Sequence, residues 1–112
     1  MTYPHVHADV CLNALGDPTR RAILELVAQG PRSVGELASD MPVSRPAVSQ
    51  HLRVLSDAGL VIGLPEGNRR VYRLDPRGVE VLRAYLDRFW PEALAAFRAE
   101  VERPATTTQE TP

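Results

Sequence analysis

The segment from Ser44 to Leu60, S-R-P-A-V-S-Q-H-L-R-V-L-S-D-A-G-L, constrains this chain more than any other. It marks both ends of a helix. Ser44 is a good N-cap, Pro46 suits a first turn whose backbone N–H groups lack partners, and Gly59 supplies the left-handed residue that ends a helix. Wound at about 100° per residue, Arg45, Pro46, Ser49, Gln50 and Arg53 share one polar arc. Ala47, Val48, His51, Leu52, Val54, Leu55 and Ala58 lie on the other side. A merely solvated face would carry Glu and Lys in paired spacing, whereas here the one acid, Asp57, is left to the last turn. Such a face suits a helix entering the major groove of DNA, where Arg grips guanine, Gln grips adenine and a helix N-terminus favours phosphate. Arg45 at the groove implies at least one G·C pair per half-site.

The rest of the chain builds a frame for that helix. Residues 1–5 read as a flexible N-terminus. A first helix is predicted over 6–15, and its apolar residues Val6, Val10, Cys11, Leu12 and Leu15 spread around it as on a helix clamped between two bodies. Gly16-Asp17-Pro18 breaks and restarts the chain, with Asp17 as N-cap and Pro18 at the first helical position. That second helix runs to Gln29 with Ala22, Ile23, Leu26 and Val27 inward, and Gly30-Pro31 closes it. Ser33-Val34-Gly35-Glu36 has the S-x-x-E form of a capping box, so a third helix runs from there to Asp40. With the turn at Met41-Pro42-Val43, residues 33–59 make a helix-turn-helix.

Leu60–Leu64 reads as a strand, 65–68 as a turn and Arg69–Leu74 as the alternating partner, a β-hairpin wing over 60–74. Arg69, Val71 and Arg73 share one face of the second strand, and Arg70, Tyr72 and Leu74 the other. Arginines near a hairpin tip suit phosphate or minor-groove contacts. Asp75-Pro76 then caps a long helix predicted over 76–102, bent but continuous at Pro91. Val79, Leu82, Leu86, Phe89, Trp90, Ala93, Phe97 and Val101 fall in one broad stripe, too long and aromatic for a small wing to cover. An apolar patch of that size marks an interface, most simply a twofold dimer. Its aromatic residues, Tyr85 included, read as dimer core rather than as the lining of a small-molecule pocket. Residues 103–112, rich in Pro, Thr, Gln and Glu, read as a disordered tail. The globular domain therefore spans 6–102.

At 112 residues the chain is one small domain with limited capacity to bury a core alone. No apolar run is long enough to span a bilayer and no signal-peptide pattern opens the chain, so the expected compartment is the cytoplasm, at the nucleoid when bound to DNA. The net charge of −1 runs against the basic surplus of many nucleic-acid proteins. Its distribution does not. Residues 45–77 hold six Arg against three acids, and the remainder seven Arg against eleven. All thirteen basic residues are Arg.

Other chemistry finds little to work with. Cys11 is the one cysteine, which excludes an intrachain disulfide and a Cys-rich zinc module; it reads as a small buried residue rather than a redox switch. His5, His7, Asp9 and Cys11 have the i, i+2 spacing of an extended segment rather than a helix, and no metal site is expected. His51, in the apolar arc, is expected to be buried and structural. Ser49, His51 and Asp57 cannot form a catalytic trio, because Ser49 and His51 point about 160° apart on the helix. No cofactor motif occurs and no enzyme is expected.

Together, L-G-D-P-T-R-R-A-I-L-E-L at 15–26, S-V-G-E-L-A at 33–38, S-R-P-A-V-S-Q-H-L-R-V-L at 44–55, A-G-L-V at 58–61 and R-R-V-Y-R-L at 69–74 resemble the ArsR-type winged helix-turn-helix repressors of bacteria. The resemblance covers about 12–97. It implies a mainly α fold with a small β-hairpin, dimeric through its first and last helices, that binds a palindromic double-stranded operator as a homodimer. It places Arg45, Pro46, Ser49 and Gln50 in the groove, with Arg69 and Arg70 following on the wing; Ser44 and Arg53 join them from the helix reading. The dimer residues would include Val10, Leu12, Leu82, Leu86, Phe89, Trp90 and Phe97. Founding members of the family release DNA on binding metal, often through a Cys-Val-Cys pair whose matching positions here are Ser33, Val34 and Gly35, and through His and acids on the final helix. This chain has no His after residue 51, so it resembles the metal-independent branch, with its inducer unknown. The alternatives are a winged-helix module acting through protein partners only, and the same fold with a metal- or redox-sensing N-terminus.

Overall fold

A computed structural model describes residues 6–104; the expectations for 1–5 and 105–112 lie outside the described residues. Among these, the elements follow as α1 (Ala8–Ala14), α2 (Pro18–Gln29), β1 (Arg32–Ser33), α3 (Val34–Asp40), α4 (Arg45–Asp57), β2 (Val61–Glu66), β3 (Arg69–Leu74), α5 (Pro76–Asp87) and α6 (Trp90–Val101). The helix starts are those the capping residues dictate. Asp17 accepts from the Arg20 N–H at 3.0 Å, Ser44 from Ala47 at 3.2 Å, and Ser33 and Glu36 cap each other. Each such cap contributes about 1 kcal/mol. The first helix is shorter than the predicted 6–15, because Val6 leaves the helix to pack over Gly59.

The sheet has three antiparallel strands in the order β1-β3-β2. Its hairpin matches the predicted wing with a tighter turn: β2 continues to Glu66, paired with Arg69, leaving Gly67-Asn68 as a two-residue loop. Gly67 has φ 66°, as the first loop position of such a hairpin favours. The two-residue β1 is an addition, since two residues show no alternation. It sets Ser33 opposite Val71 and Arg32 opposite Tyr72, which lays the start of α3 beside the start of β3.

Helices α1 to α4 and the sheet close on Cys11, Ile23, Leu37, Val48, Leu52, Leu55, Leu60 and Val61, all essentially inaccessible. Burying aliphatic side chains of this size stabilises by roughly 1.5–3 kcal/mol each. The buried arc of α4 is narrower than expected. Val54 is exposed, and His51 is half-buried rather than buried, its Nδ1 4.0 Å from the carboxylate of Asp17, the N-cap of α2.

The expected single C-terminal helix is two helices. Pro91, which lacks an N–H and whose ring excludes the carbonyl four residues back, sits in the first turn of α6. Arg88 and Phe89 between the helices keep nearly helical backbone angles, so the chain bends without a loop. From Pro91 to Val101 every residue is exposed, and the molecule extends 66 × 37 × 21 Å.

Helix α4 ends in a tight junction with α5. Gly59 takes φ 80°, and the Leu60 N–H reaches the Leu55 carbonyl at 2.9 Å, the bond that closes a glycine-terminated helix. The Gly78 N–H then donates to the Gly59 carbonyl at 2.8 Å, and a Cβ at Gly78 would stand 2.2 Å from that oxygen. Cys11 Sγ donates to the Ala58 carbonyl at 3.3 Å, its thiol pushed up by burial. Asp75, 3% exposed, caps α5 and grips the Arg77 guanidinium, whose hydrogen bonds hold its carboxyl below the usual range.

Gly78→Ala should therefore cost about 1–3 kcal/mol, the range for overpacking, because both clashing partners are backbone. Gly67→Ala, in open space but at positive φ, should cost about 1 kcal/mol. Urea melts at one protein concentration compare the two. The Asp75 contribution is complete above the unfolded carboxylate value of about 3.9 and lost as pH falls through its lower folded value. The stability gap between wild type and Asp75→Asn should accordingly be widest near neutrality and shrink below about pH 4.

Candidate nucleic-acid interface

Because Val48, Leu52 and Leu55 lock one side of α4 into the core, its polar arc faces out: Arg45, Pro46, Ser49, Gln50 and Arg53 are all exposed. Ser44, also exposed, spends its hydroxyl on the cap. Neither Arg45 nor Arg53 is ion-paired among the described residues. This leaves the outer face of α4 cationic and rich in donors.

The wing arginines are brought to the same side but are engaged. Arg69 lies 3.6 Å from Glu36 and 3.8 Å from Glu66, and Arg73 lies 3.9 Å from Glu66. Arg70 donates to the Gly63 carbonyl at 2.8 Å, its stem and the Tyr72 ring filling the space over that glycine. Glu36 is held below the usual carboxylate range first by the Ser33 backbone N–H and then, opposed by desolvation, by Arg69. Exposed pairs of this length contribute roughly 0–1 kcal/mol, so a phosphate can displace the carboxylates. The sequence reading missed these acids: Glu36 was legible as a cap, and its second partner arrives only through the β1–β3 pairing.

Arg45 does not extend straight outward. Its Nη2 stands 2.6 Å from where a Cβ of Gly35 would be, and its guanidinium shares an open pocket of about 290 Å³ with Ser33, Val34, Gly35, Arg69 and Arg70. Gly35, read from the sequence only as a position that lacks a metal-binding cysteine, makes this room.

The structure also leaves apolar side chains exposed on α1, α5 and α6. Val10 and Leu12 of α1, Leu86 of α5, and Phe89, Trp90 and Phe97 at and beyond the bend are exposed, Phe97 by 66%. Leu82 instead packs, half-buried, against the core. Leu94 belongs with the exposed set and was missed, although its spacing from Trp90, Phe97 and Val101 repeats 4, 3, 4. Tyr85 and Phe89 stack edge to face at 5.2 Å.

Among the described residues no three His, Cys, Asp or Glu come together as a metal site; His5 lies outside them. No helix among them is long and apolar enough to cross a membrane.

The family model for bacterial regulatory proteins of the arsR family matches residues 17–62, from the start of α2 to the start of the wing. The HTH-type transcriptional regulator Rv2034 of Mycobacterium tuberculosis is 61% identical over 89 residues, covering 80% of this chain and 83% of the relative. The HTH-type transcriptional repressor SmtB of the same species is 43% identical over 63 residues, 56% of this chain and 47% of that one, so the chain spans about half of that relative. Among solved structures, the homodimeric winged helix-turn-helix DNA-binding domain of Mb0332 from Mycobacterium bovis superposes with a TM-score of 0.60 at 30% identity, covering 86% of this chain and 81% of that one. The motif that faces outward on α4, the wing beside it and the relatives that share both agree: this chain belongs to the arsR family of bacterial regulatory proteins and is a winged helix-turn-helix transcriptional regulator.

Proposed function

We propose that two copies of this chain bind a palindromic operator in the cytoplasm and repress transcription by occupying it, with neither metal nor cofactor required. The observation that carries this reading is the outer face of α4, exposed, free of acids in its first two turns and flanked by the arginines of the wing. Ser49, Gln50 and Arg53 face the base edges, Ser44 holds the helix end, and Pro46 lets the first turn approach the backbone. Arg69 and Arg70 exchange their internal partners for DNA. The repressor SmtB and the homodimeric Mb0332 domain support repression and pairing respectively.

Pairing would cover the apolar face of α1, α5 and α6, with Val10, Leu12, Leu82, Leu86, Phe89, Trp90 and Phe97 at or beside the contact. A twofold arrangement would set the two α4 helices about one DNA turn or a multiple apart, roughly 10–20 base pairs.

Fluorescence anisotropy with DNA from upstream of the chain's own gene, against a scrambled duplex, tests the reading. Two chains per site, tighter binding to the upstream fragment and a steep loss with salt are expected. Gln50→Ala should cost about 1–3 kcal/mol on the upstream fragment and far less on the scrambled one. Absence of binding to either duplex would instead favour a module that acts through protein partners.

The dimer has its own readout in Trp90, the one tryptophan. Its emission should shift to the red on dilution as the pair dissociates, and Phe97→Glu should move the protein from dimer to monomer in sedimentation without lowering its helix content.

A further inference from the structure

We propose that Arg45, Arg69 and Arg70 form one anion pocket that grips a single DNA-backbone phosphate, so that Arg45 anchors α4 rather than reading a guanine. This rests on the DNA-binding reading above and assigns a site within it. The three side chains come from the first turn of α4 and the first two residues of β3, and they meet over Gly35 because β1 pairs Ser33 with Val71. Gly35 has no side chain to fill the space the Arg45 guanidinium takes. Arg45 is not ion-paired among the described residues, and the Arg69 contacts to Glu36 and Glu66, at 3.6 and 3.8 Å, are longer than the roughly 2.7–2.9 Å of a charge-assisted hydrogen bond. The pocket is therefore cationic and Arg45 and Arg69 can be recruited, while Arg70, which donates to the Gly63 carbonyl at 2.8 Å, has further N–H groups to offer an anion.

Planar guanidinium forks match phosphate oxygens in pairs. The pocket lies at the seam between the reading helix and the wing, where a strand backbone passes when α4 enters the groove. Ser49, Gln50 and Arg53 are outside its lining. A guanidinium drawn back over α3 is thus placed for a phosphate, while the residues one and two turns further along α4 face the bases.

Phosphate and base contacts leave different signatures. In anisotropy titrations across a salt series, Arg45→Ala should weaken the upstream and scrambled duplexes by the same factor, about tenfold or more. It should also lower the magnitude of the slope of log K against log salt by about 0.9 per half-site, roughly 1.8 for two chains on one site. A scan placing one neutral methylphosphonate at a time in the upstream duplex should find one position per half-site that weakens wild type most, with a penalty that shrinks in Arg45→Ala and disappears when Arg69 and Arg70 are also replaced by Ala. Loss confined to the upstream duplex would make Arg45 a base reader and overturn the proposal while leaving DNA binding intact. Wild type that binds neither duplex would overturn both readings. Inorganic phosphate at matched ionic strength should leave the wild-type isotherm unchanged. Competition by phosphate that Arg45→Ala abolishes would assign the pocket to the free anion and overturn its assignment to DNA.

Discussion

Two backbones approach at Gly59 and Gly78 more closely than any side chain would allow, and the orientation of the reading helix depends on that approach. The Gly78 N–H meets the Gly59 carbonyl at 2.8 Å immediately after α4 has ended, and the Asp75 N–H meets the Leu60 carbonyl at 2.9 Å one residue later. These bonds join the end of α4 to the start of α5 through main chain alone. Val6 packs over Gly59, and Cys11 donates to the neighbouring Ala58 carbonyl, so the α1 segment is tied to the same point. The elements that carry the exposed apolar face and the element that carries the polar arc are thereby held at a set angle. In a twofold pair, that angle would determine how far apart the two reading helices stand.

Charge is arranged with the same economy. A net charge of −1 conceals a surplus of three positive charges between residues 45 and 77. Within that segment the reading helix keeps its Arg45 and Arg53 free of acids, while the wing pairs Arg69 and Arg73 with carboxylates at 3.6–3.9 Å. Long, exposed pairs contribute little in water and are readily exchanged. They hold Arg69 beside the pocket without committing it.

The helix-turn-helix and the wing were legible because local chemistry specifies them. Asp17, Ser33 and Ser44 cap in the structure as their positions require, Gly59 takes the left-handed conformation, and Gly67-Asn68 turns the hairpin. The stripe on the C-terminal segment was legible as apolar, but its continuity was not. Pro91 permits either a kink or a new start, and only the tightening at Arg88 and Phe89, whose N–H groups bond the Tyr85 and Leu86 carbonyls three residues back, decides for two helices. His51 was misplaced for a related reason: its position on the helix wheel is apolar, yet how far it is covered depends on what packs against that part of α4, and it lies 4.0 Å from the Asp17 carboxylate, half-buried.

The sequence by itself determined where α2, α3 and α4 start and stop, which face of α4 is polar and which surface is apolar, because capping, periodicity and glycine conformation act within a few residues. Tertiary structure alone decided what those faces meet. A strand of two residues, β1, has no periodicity to read, yet its pairing with β3 carries Glu36 to Arg69 and sets the wing arginines beside the place where Arg45 lies over Gly35. Contacts between separate elements depend on sheet register and on the space a glycine leaves, and neither is encoded in any one stretch of the chain.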